Sequence, residues 1–194
     1  MRSSFLAIGV LVTIIIVIVV IVVLILVFIG MYNSLVKLRN AVEEAYSTMD
    51  VYMKKRFDLI PNLVETVKGY ASHEKETLER VVEARNFARS AGTPEAMMQG
   101  ESQLAGALKS LFAIAEGYPE LRANENFLDL QRQLKVSEED IANARKYYNG
   151  TVRMYNTKTE VFPNSIVASM FRFGRKPLYE VADAAERENV KVQF

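Results

Sequence analysis

Acid–base chemistry in this chain would have to begin from one histidine and a few paired carboxylates. His73 is the single histidine, and Glu74 and Glu76 follow it closely. A histidine beside carboxylates can act as a general base or as a metal ligand. The paired acids at positions 43–44 and 138–140 have the spacing of helix surfaces with i,i+4 partners. We therefore predict solvated surface roles for His73 and for these acids.

No reactive constellation appears elsewhere in the sequence. The chain has no cysteine, which excludes thiol catalysis, disulfides and cysteine-ligated metal sites. It contains no P-loop, no dinucleotide-binding glycine motif, no H-E-x-x-H and no G-x-S-x-G. A formal net charge of +1 provides no basic field for nucleic acid. The sequence predicts a protein that is not an enzyme, with no catalytic residue, cofactor or metal.

Asparagine is the polar residue whose spacing calls for an explanation. Asn33 and Asn40 are seven positions apart, as are Asn149 and Asn156, so each pair lies on one helix face. Asparagine is a poor helix former, and a buried asparagine between packed helices can set register and oligomer state. We predict register or interface roles for these four residues. The alternative is that they are exposed and merely tolerated.

The longest predicted element, from which the rest of the chain continues, is an apolar run at the N-terminus. Residues 5–30 contain no charge, and Thr13 is their only polar side chain. A helix of this length reaches about 39 Å, enough to cross a hydrocarbon core of about 30 Å. A cleavable signal peptide has a shorter core and a small-residue cleavage site, and a soluble core helix would carry polar interruptions. We predict a transmembrane helix.

The flanking charges give a weak preference for one orientation. Arg2 and the amino terminus precede the run, whereas Lys37 and Arg39 follow it. Both pairs are close enough to the ends of the helix to influence its orientation under the positive-inside rule. The balance favours a cytoplasmic C-terminal domain with the short N-terminus outside. A basic triplet at positions 54–56 lies further along. We predict that it is solvated, with phosphate or lipid binding as the alternative.

Three further stretches carry apolar residues at alternating three- and four-residue steps, which is the pattern of amphipathic helices. They cover approximately residues 32–60, 95–116 and 122–161, and a similar pattern resumes after Pro61. Short connections between long helices favour antiparallel neighbours. The predicted fold is all-α: an N-terminal transmembrane helix continues into an elongated antiparallel bundle. Whether the bundle has three or four helices depends on a turn near His73.

Proline and glycine mark the predicted boundaries. Pro61 should kink the first helix or begin a new one. Gly92–Pro94, Gly117–Pro119 and Phe162-Pro163 are predicted to end helices. The resulting domains are an anchor at 1–30, a bundle at 31–162, and a short apolar and basic segment with a tail at 163–194. Part of the tail beyond residue 180 is expected to pack on the bundle.

The segment after Pro163 combines an apolar helix with a basic cluster. Residues 165–171 are predicted to form the helix, and aromatic and basic residues alternate just after it. Such interleaving is typical of a membrane-surface or partner contact, whereas a cap on the end of the bundle is the structural alternative. The candidate contact residues are Phe171, Arg172, Phe173, Arg175 and Lys176.

Several strings in the chain resemble the signature of the bacterial LemA family. They are residues 32–40 (YNSLVKLRN), 56–71 (RFDLIPNLVETVKGYA), 118–127 (YPELRANENF), the stretch from Tyr148-Asn149 through Tyr155-Asn156, and Phe162-Pro163. The resemblance extends from the anchor to about Phe173. It implies an N-terminal membrane helix with a small external N-terminus and a soluble antiparallel helical bundle. It brings no catalytic residues with it.

These observations favour a membrane-anchored, non-enzymatic helical scaffold or adaptor that self-associates. One alternative is a membrane-shaping homopolymer that uses helix faces and the segment at 166–176. Another is a ligand-sensing bundle that signals through the helical stalk. The expected partners are the lipid bilayer, further copies of the chain and other membrane proteins, and nucleic acid is not among them.

Overall fold

The described residues form six helices. The structure, a computed structural model, describes residues 2–179, with the side chains of residues 2–8, 10, 94 and 95 outside that description. The expected packing of the tail at 180–194 lies outside the described residues. The helices are α1 Arg2–Lys68, α2 Lys75–Ser90, α3 Pro94–Ala115, α4 Pro119–Arg122, α5 Glu125–Glu160 and α6 Asn164–Met170. No strand occurs in residues 2–179, so the predicted all-α fold is confirmed.

The chain divides into two compact units. Within the described residues, unit 1 comprises the chain up to Glu44 and Gly150–Pro177, and unit 2 comprises Ala45–Asn149, Leu178 and Tyr179. Helices α1 and α5 therefore each contribute to both units.

In unit 1, the N-terminal part of α1 is the one helix in the described chain that is long and apolar enough to cross a membrane. Its large apolar side chains from Leu11 to Ile29 are exposed, apart from the half-buried Phe28. Apolar side chains around the whole circumference are typical of a helix surrounded by lipid. The long apolar N-terminal helix is therefore confirmed as a candidate span.

Unit 2 has a core that follows the predicted helical stripes. Buried apolar residues recur at three- and four-residue steps on α1, α3 and α5, for example Ile60, Leu63 and Val67. Helix α2 approaches α3 closely at Gly100, where an added Cβ would lie 2.5 Å from the Cα of Ala88. Only glycine permits this approach, because any side chain would meet the backbone of the neighbouring helix.

Most predicted boundaries are confirmed, and each has a local cause. Helix α1 ends at Lys68 and α2 begins at Lys75, so the chain does turn near His73. Thr93 accepts a hydrogen bond from the Ala96 N–H at 3.2 Å, and Pro94 is the first residue of α3. The side chain of Asn124 accepts one from the Phe127 N–H at 2.9 Å at the start of α5. The third predicted helix, expected from about residue 122 to 161, is confirmed as α5 but begins at Glu125, because α4 ends at Arg122.

The predicted new helix start at Pro61 is wrong, because α1 continues through Pro61 to Lys68. A proline inside a helix leaves the carbonyl four residues earlier without its usual donor. Here that carbonyl belongs to Phe57, and the Nε of Arg85 on α2 donates to it at 2.7 Å. The orphaned backbone group is therefore satisfied by a side chain from another helix, and Ile60 and Leu63 remain buried on either side of the proline.

Candidate functional site

Two of the four predicted asparagines hold the segment that follows α6. Asn156, in unit 1, donates from Nδ2 to the Lys176 carbonyl at 2.9 Å and accepts from the Lys176 N–H at 2.9 Å. Asn149, in unit 2, donates to the Tyr179 carbonyl at 2.9 Å and accepts from the Tyr179 N–H at 2.8 Å. We call each pair of hydrogen bonds an asparagine clamp. An amide side chain presents one acceptor and one donor side by side, which matches the N–H and C=O of one extended residue.

The other two asparagines have a different environment. Asn33 and Asn40 are exposed on α1 in unit 1. They therefore set no helix register within this chain. A register or interface role for them would need a second copy, so the predicted interface role remains a prediction.

The predicted contact residues Phe171 and Phe173 lie against the end of the apolar run in unit 1. The ring of Phe171 is 6.1 Å from that of Phe28 and 4.7 Å from that of Tyr32, measured between centroids. Phe173 is buried, and its ring is 5.8 Å from Tyr32 in an edge-on arrangement. The guanidinium of Arg39 lies 5.5 Å from the Phe173 ring centroid. Rings at these distances attract one another, and a guanidinium adds a cation–π contact.

The three basic contact residues behave differently from one another. Arg172 is exposed and has a φ of 56°. Arg175 is exposed, and its Nε lies 3.7 Å from a carboxylate oxygen of Glu160. Lys176 is half-buried, with its backbone in the Asn156 clamp. The hydroxyl of Tyr155 adds a hydrogen bond to the Gly174 carbonyl at 3.1 Å. The backbone of this segment is thus held by hydrogen bonds from α5, while the side chains of Arg172 and Arg175 are exposed.

A buried ion cluster occupies the core of unit 2. Arg56 is 2% exposed and pairs through its two Nη atoms with Glu101 and Glu138. Glu101 is 6% exposed, whereas the Glu138 side chain is half-exposed. The predicted solvated face at 54–56 is therefore correct for Lys54 and Lys55 but wrong for Arg56. A charged group can be buried in this way only when opposite charges and hydrogen bonds replace water.

Burial affects the ionisation of this cluster. Burial raises the pKa of the Glu101 carboxyl, and Arg56 opposes that rise. Burial also raises the pKa of Tyr179 to about 12, helped by Glu101 and opposed by the arginines 145 and 56. The Arg145 guanidinium lies 4.9 Å from the Tyr179 ring centroid. With a pKa of about 12, the Tyr179 phenol keeps its proton at neutral pH and is a structural group there.

The candidate acid–base residues from the sequence do not come together in one site. His73 is exposed in the turn after α1, and Glu43, Glu44 and Glu139 are exposed on helices. Within the described residues, no three histidine, aspartate or glutamate side chains are grouped so as to hold a metal ion. What the arrangement can do chemically is hold helices and an extended segment together through fixed polar contacts.

Sequence reasoning missed the Arg56–Glu101 pair, although the sequence contains a signal for it. Buried residues of α1 recur at 49, 53, 56, 60, 63 and 67, and those of α3 at 97, 101, 104, 108, 111 and 115. Arg56 and Glu101 each occupy a position on an otherwise apolar stripe. A charged residue at a core position of a helix is expected to find an opposite charge. Reading each stripe for its polar exceptions would have identified both residues.

Comparison with known proteins gives a consistent result. A sequence model of the LemA family matches residues 45–194. Protein LemA of Metamycoplasma hominis is 26% identical over 171 residues, covering 85% of this chain and 74% of that protein. Magnetosome protein MamQ 1 of Paramagnetospirillum magneticum is 20% identical over 189 residues, covering 84% of this chain and 70% of that protein. Magnetosome protein MamQ of Magnetospirillum gryphiswaldense is 21% identical over 189 residues, which cover 84% of this chain and 70% of that protein. Since the family model covers more than half of the chain, this protein belongs to the LemA family.

Proposed function

We propose that this chain is a membrane-anchored, non-enzymatic helical scaffold or adaptor that self-associates. The observation that carries the proposal is the continuity of α1. One helix, Arg2–Lys68, supplies the exposed apolar span and also buried core residues of unit 2, with no linker between them. The same helix thus enters the bilayer and takes part in the helical core. The proposed orientation places the C-terminal domain in the cytoplasm and the short N-terminus outside.

Three features support a binding role over a catalytic one. The ionisable residues of the buried cluster pair with one another, and the clamps use side-chain amides on backbone groups. Among the described residues, these contacts fix structure and pair no nucleophile with a base, which is the arrangement typical of nucleophilic catalysis. The similarity to proteins named after the magnetosome supports a membrane-associated role for this chain. The partners proposed are the bilayer, further copies of the chain and other membrane proteins.

Particle mass is the test of self-association. The full chain, extracted in native lipid discs, is compared with residues 31–194 alone. We expect a uniform assembly of several copies for the full chain. A monomer in both forms would remove self-association and leave a single-pass adaptor. A very large or open-ended full-chain assembly would favour the membrane-shaping homopolymer instead. Asn40→Leu then tests the exposed α1 face, because a register role predicts a changed mass.

Orientation can be measured cleanly because the chain has no cysteine. Ser47→Cys and Ser3→Cys each create a single labelling site in intact cells. A membrane-impermeant maleimide should label Ser47→Cys only after permeabilisation and Ser3→Cys before it. The opposite pattern would place the C-terminal domain outside.

One observation favours a ligand-sensing bundle as a second candidate function. In unit 2, α3 and α5 line an open groove of about 760 Å³ whose apolar walls include Leu108, Phe112, Leu128 and Leu134. Grooves of this size are typical of sites for small apolar ligands. A set of fatty acids and other amphiphiles can be tested for a shift in melting temperature. Leu108→Glu should abolish any shift that arises from this groove.

A further inference from the structure

Helix α6 leaves apolar side chains unburied on one side. In unit 1, Val167 and Ala168 are buried, whereas Ile166, Met170 and Phe171 are exposed. Phe162, just before this helix, is 80% exposed. Single exposed apolar residues are ordinary, but four within ten positions of a water-soluble surface would be costly. This group, which we call the α6 face, consists of Phe162, Ile166, Met170 and Phe171.

The depth of the α6 face relative to the span follows from ring contacts. Phe171 contacts Phe28 and Tyr32, at centroid distances of 6.1 and 4.7 Å. Phe28 is near the end of the apolar run, and the polar sequence begins at Tyr32-Asn33. A run slightly longer than the hydrocarbon core places its last turn at the membrane–water boundary, where tyrosine is favoured. Phe171 therefore lies at the level of that boundary.

Basic side chains follow directly on the α6 face. Arg172 and Arg175 are exposed, and Lys176 is half-buried. In the described part of the chain, Glu160 faces this cluster, with a carboxylate oxygen 3.7 Å from the Nε of Arg175. At a bilayer surface, exposed cations can pair with lipid phosphates while the neighbouring apolar residues contact the acyl chains.

The backbone at Arg172 supplies an independent argument. After α6, the Phe173 N–H bonds to the Ala168 carbonyl at 2.9 Å, and the Arg172 N–H bonds to the Ser169 carbonyl at 3.3 Å. This is the Schellman pattern, in which the residue with positive φ is usually glycine. Arg172 takes that position with a φ of 56°, which strains a residue that has a Cβ. A strained residue at an exposed turn points to a role for its side chain.

We infer that α6 is a second membrane contact, which lies in the interfacial region of the bilayer beside the end of the span. The α6 face enters the boundary between headgroups and acyl chains, and Arg172 and Arg175 meet anionic lipid phosphates. This inference rests on the proposed anchoring of α1 in the membrane. It assigns to one segment both a lipid-binding face and, through Phe173 and the Asn156 clamp, attachment to unit 1.

Tryptophan reporters in the full chain test this contact, because the chain contains no tryptophan. Met170→Trp reports on the α6 face. Met154→Trp, on α5 in unit 1, is the matched control, and Leu24→Trp reports on the span. The three positions are almost equally exposed, at 62%, 63% and 62%. Each variant is reconstituted in vesicles of phosphatidylcholine and phosphatidylglycerol that contain lipids brominated at a defined depth.

The expected result is that shallow bromines quench Met170→Trp about threefold more than Met154→Trp, as for an interfacial helix. Leu24→Trp should be quenched by deep bromines. Equal quenching at 170 and 154, with Leu24→Trp still quenched, would overturn the inference and leave the anchor intact. A blue-shifted but unquenched Met170→Trp would also overturn it, in favour of a second copy covering the face. An unquenched Leu24→Trp would mean that the proposed anchoring itself fails.

Arg172→Gly separates the lipid role from a structural one. Glycine relieves the positive φ, so the melting temperature in detergent should be unchanged or higher. Quenching of Met170→Trp should nevertheless fall in vesicles with phosphatidylglycerol and change little in phosphatidylcholine alone. Unaltered quenching in both lipids would show that Arg172 has no lipid role and would remove the guanidinium from the contact.

Discussion

The helical core of unit 2 and the segment after α6 in unit 1 are held by different means. Unit 2 has charge in its core, where Arg56 and Glu101 join α1 and α3 far from water. In unit 1, the segment after α6 is held by aromatic contacts of Tyr32 with Phe171 and Phe173. The Asn156 clamp adds hydrogen bonds to the backbone of Lys176. The first arrangement links two regular helices that already satisfy their own backbone. The second serves an extended segment whose backbone groups have no partners in a helix.

This contrast predicts different consequences of mutation. Breaking a contact in unit 2 leaves a buried charge or a clash between helices, so the whole unit should lose stability. Breaking a clamp in unit 1 releases a short segment that water can then solvate, so the effect should be local. The following variants test this distinction in the full chain in mild detergent.

The largest effect is expected from removing the buried cation. Arg56→Met leaves Glu101 buried without its partner and should cost about 3–5 kcal/mol of unfolding free energy. Thermal and denaturant unfolding measured by circular dichroism would show it. Lys55→Met, at the exposed neighbouring position, is the control and should have little effect.

The double variant Arg56→Met/Glu101→Met should recover most of that loss, since a buried pair can often be replaced by apolar residues. Failure of the double variant to recover stability would mean that the cluster contributes more than mutual neutralisation.

The next effect concerns the close approach of α2 and α3. Gly100→Ala forces a Cβ against the backbone of Ala88 and should cost about 1–3 kcal/mol. Gly106→Ala lies on the same helix with nothing within 4 Å of the added Cβ. It should therefore be neutral or stabilise by up to about 1 kcal/mol. Equal melting temperatures for the two variants would contradict the helix contact that the structure shows.

The Pro61 contact should have an effect of similar size, but one that depends on context. Arg85→Ala removes the donor to the Phe57 carbonyl and should cost about 1–3 kcal/mol. In a Pro61→Ala background, the restored N–H supplies that donor, so the same Arg85→Ala change should cost much less. A double-mutant cycle on melting curves measures the difference. Equal costs in both backgrounds would show that Arg85 acts independently of the proline.

The smallest global effect is expected in unit 1. Asn156→Leu removes both bonds of the clamp on Lys176. Global stability should fall by about 1 kcal/mol, while the Lys176 amide should exchange with solvent at least several times faster. Hydrogen exchange read by mass spectrometry measures this. Thr157→Leu, at the exposed neighbouring position, is the control and should leave exchange at residue 176 unchanged. A cooperative loss of the whole fold in Asn156→Leu would remove the distinction between the units.

Sequence patterns alone determined those features that depend on a short stretch of chain. The apolar run to residue 30, the helical stripes and the stops at Gly92–Pro94 and Phe162-Pro163 all follow from neighbouring residues. The resemblance to the LemA family, confirmed by the match over residues 45–194, follows in the same way. Such features are local because helix periodicity and turn chemistry act within a few residues.

Only the tertiary structure decided which distant groups meet. Arg56 lies on an apolar stripe, but its partner Glu101 is on another helix. Helix α1 survives Pro61 because Arg85 of α2 supplies a donor. Asn149 and Asn156 were identified by their heptad spacing, yet what they hold is the backbone of an extended segment later in the chain. Periodicity tells which way a side chain points from its own helix, whereas packing determines what it meets there.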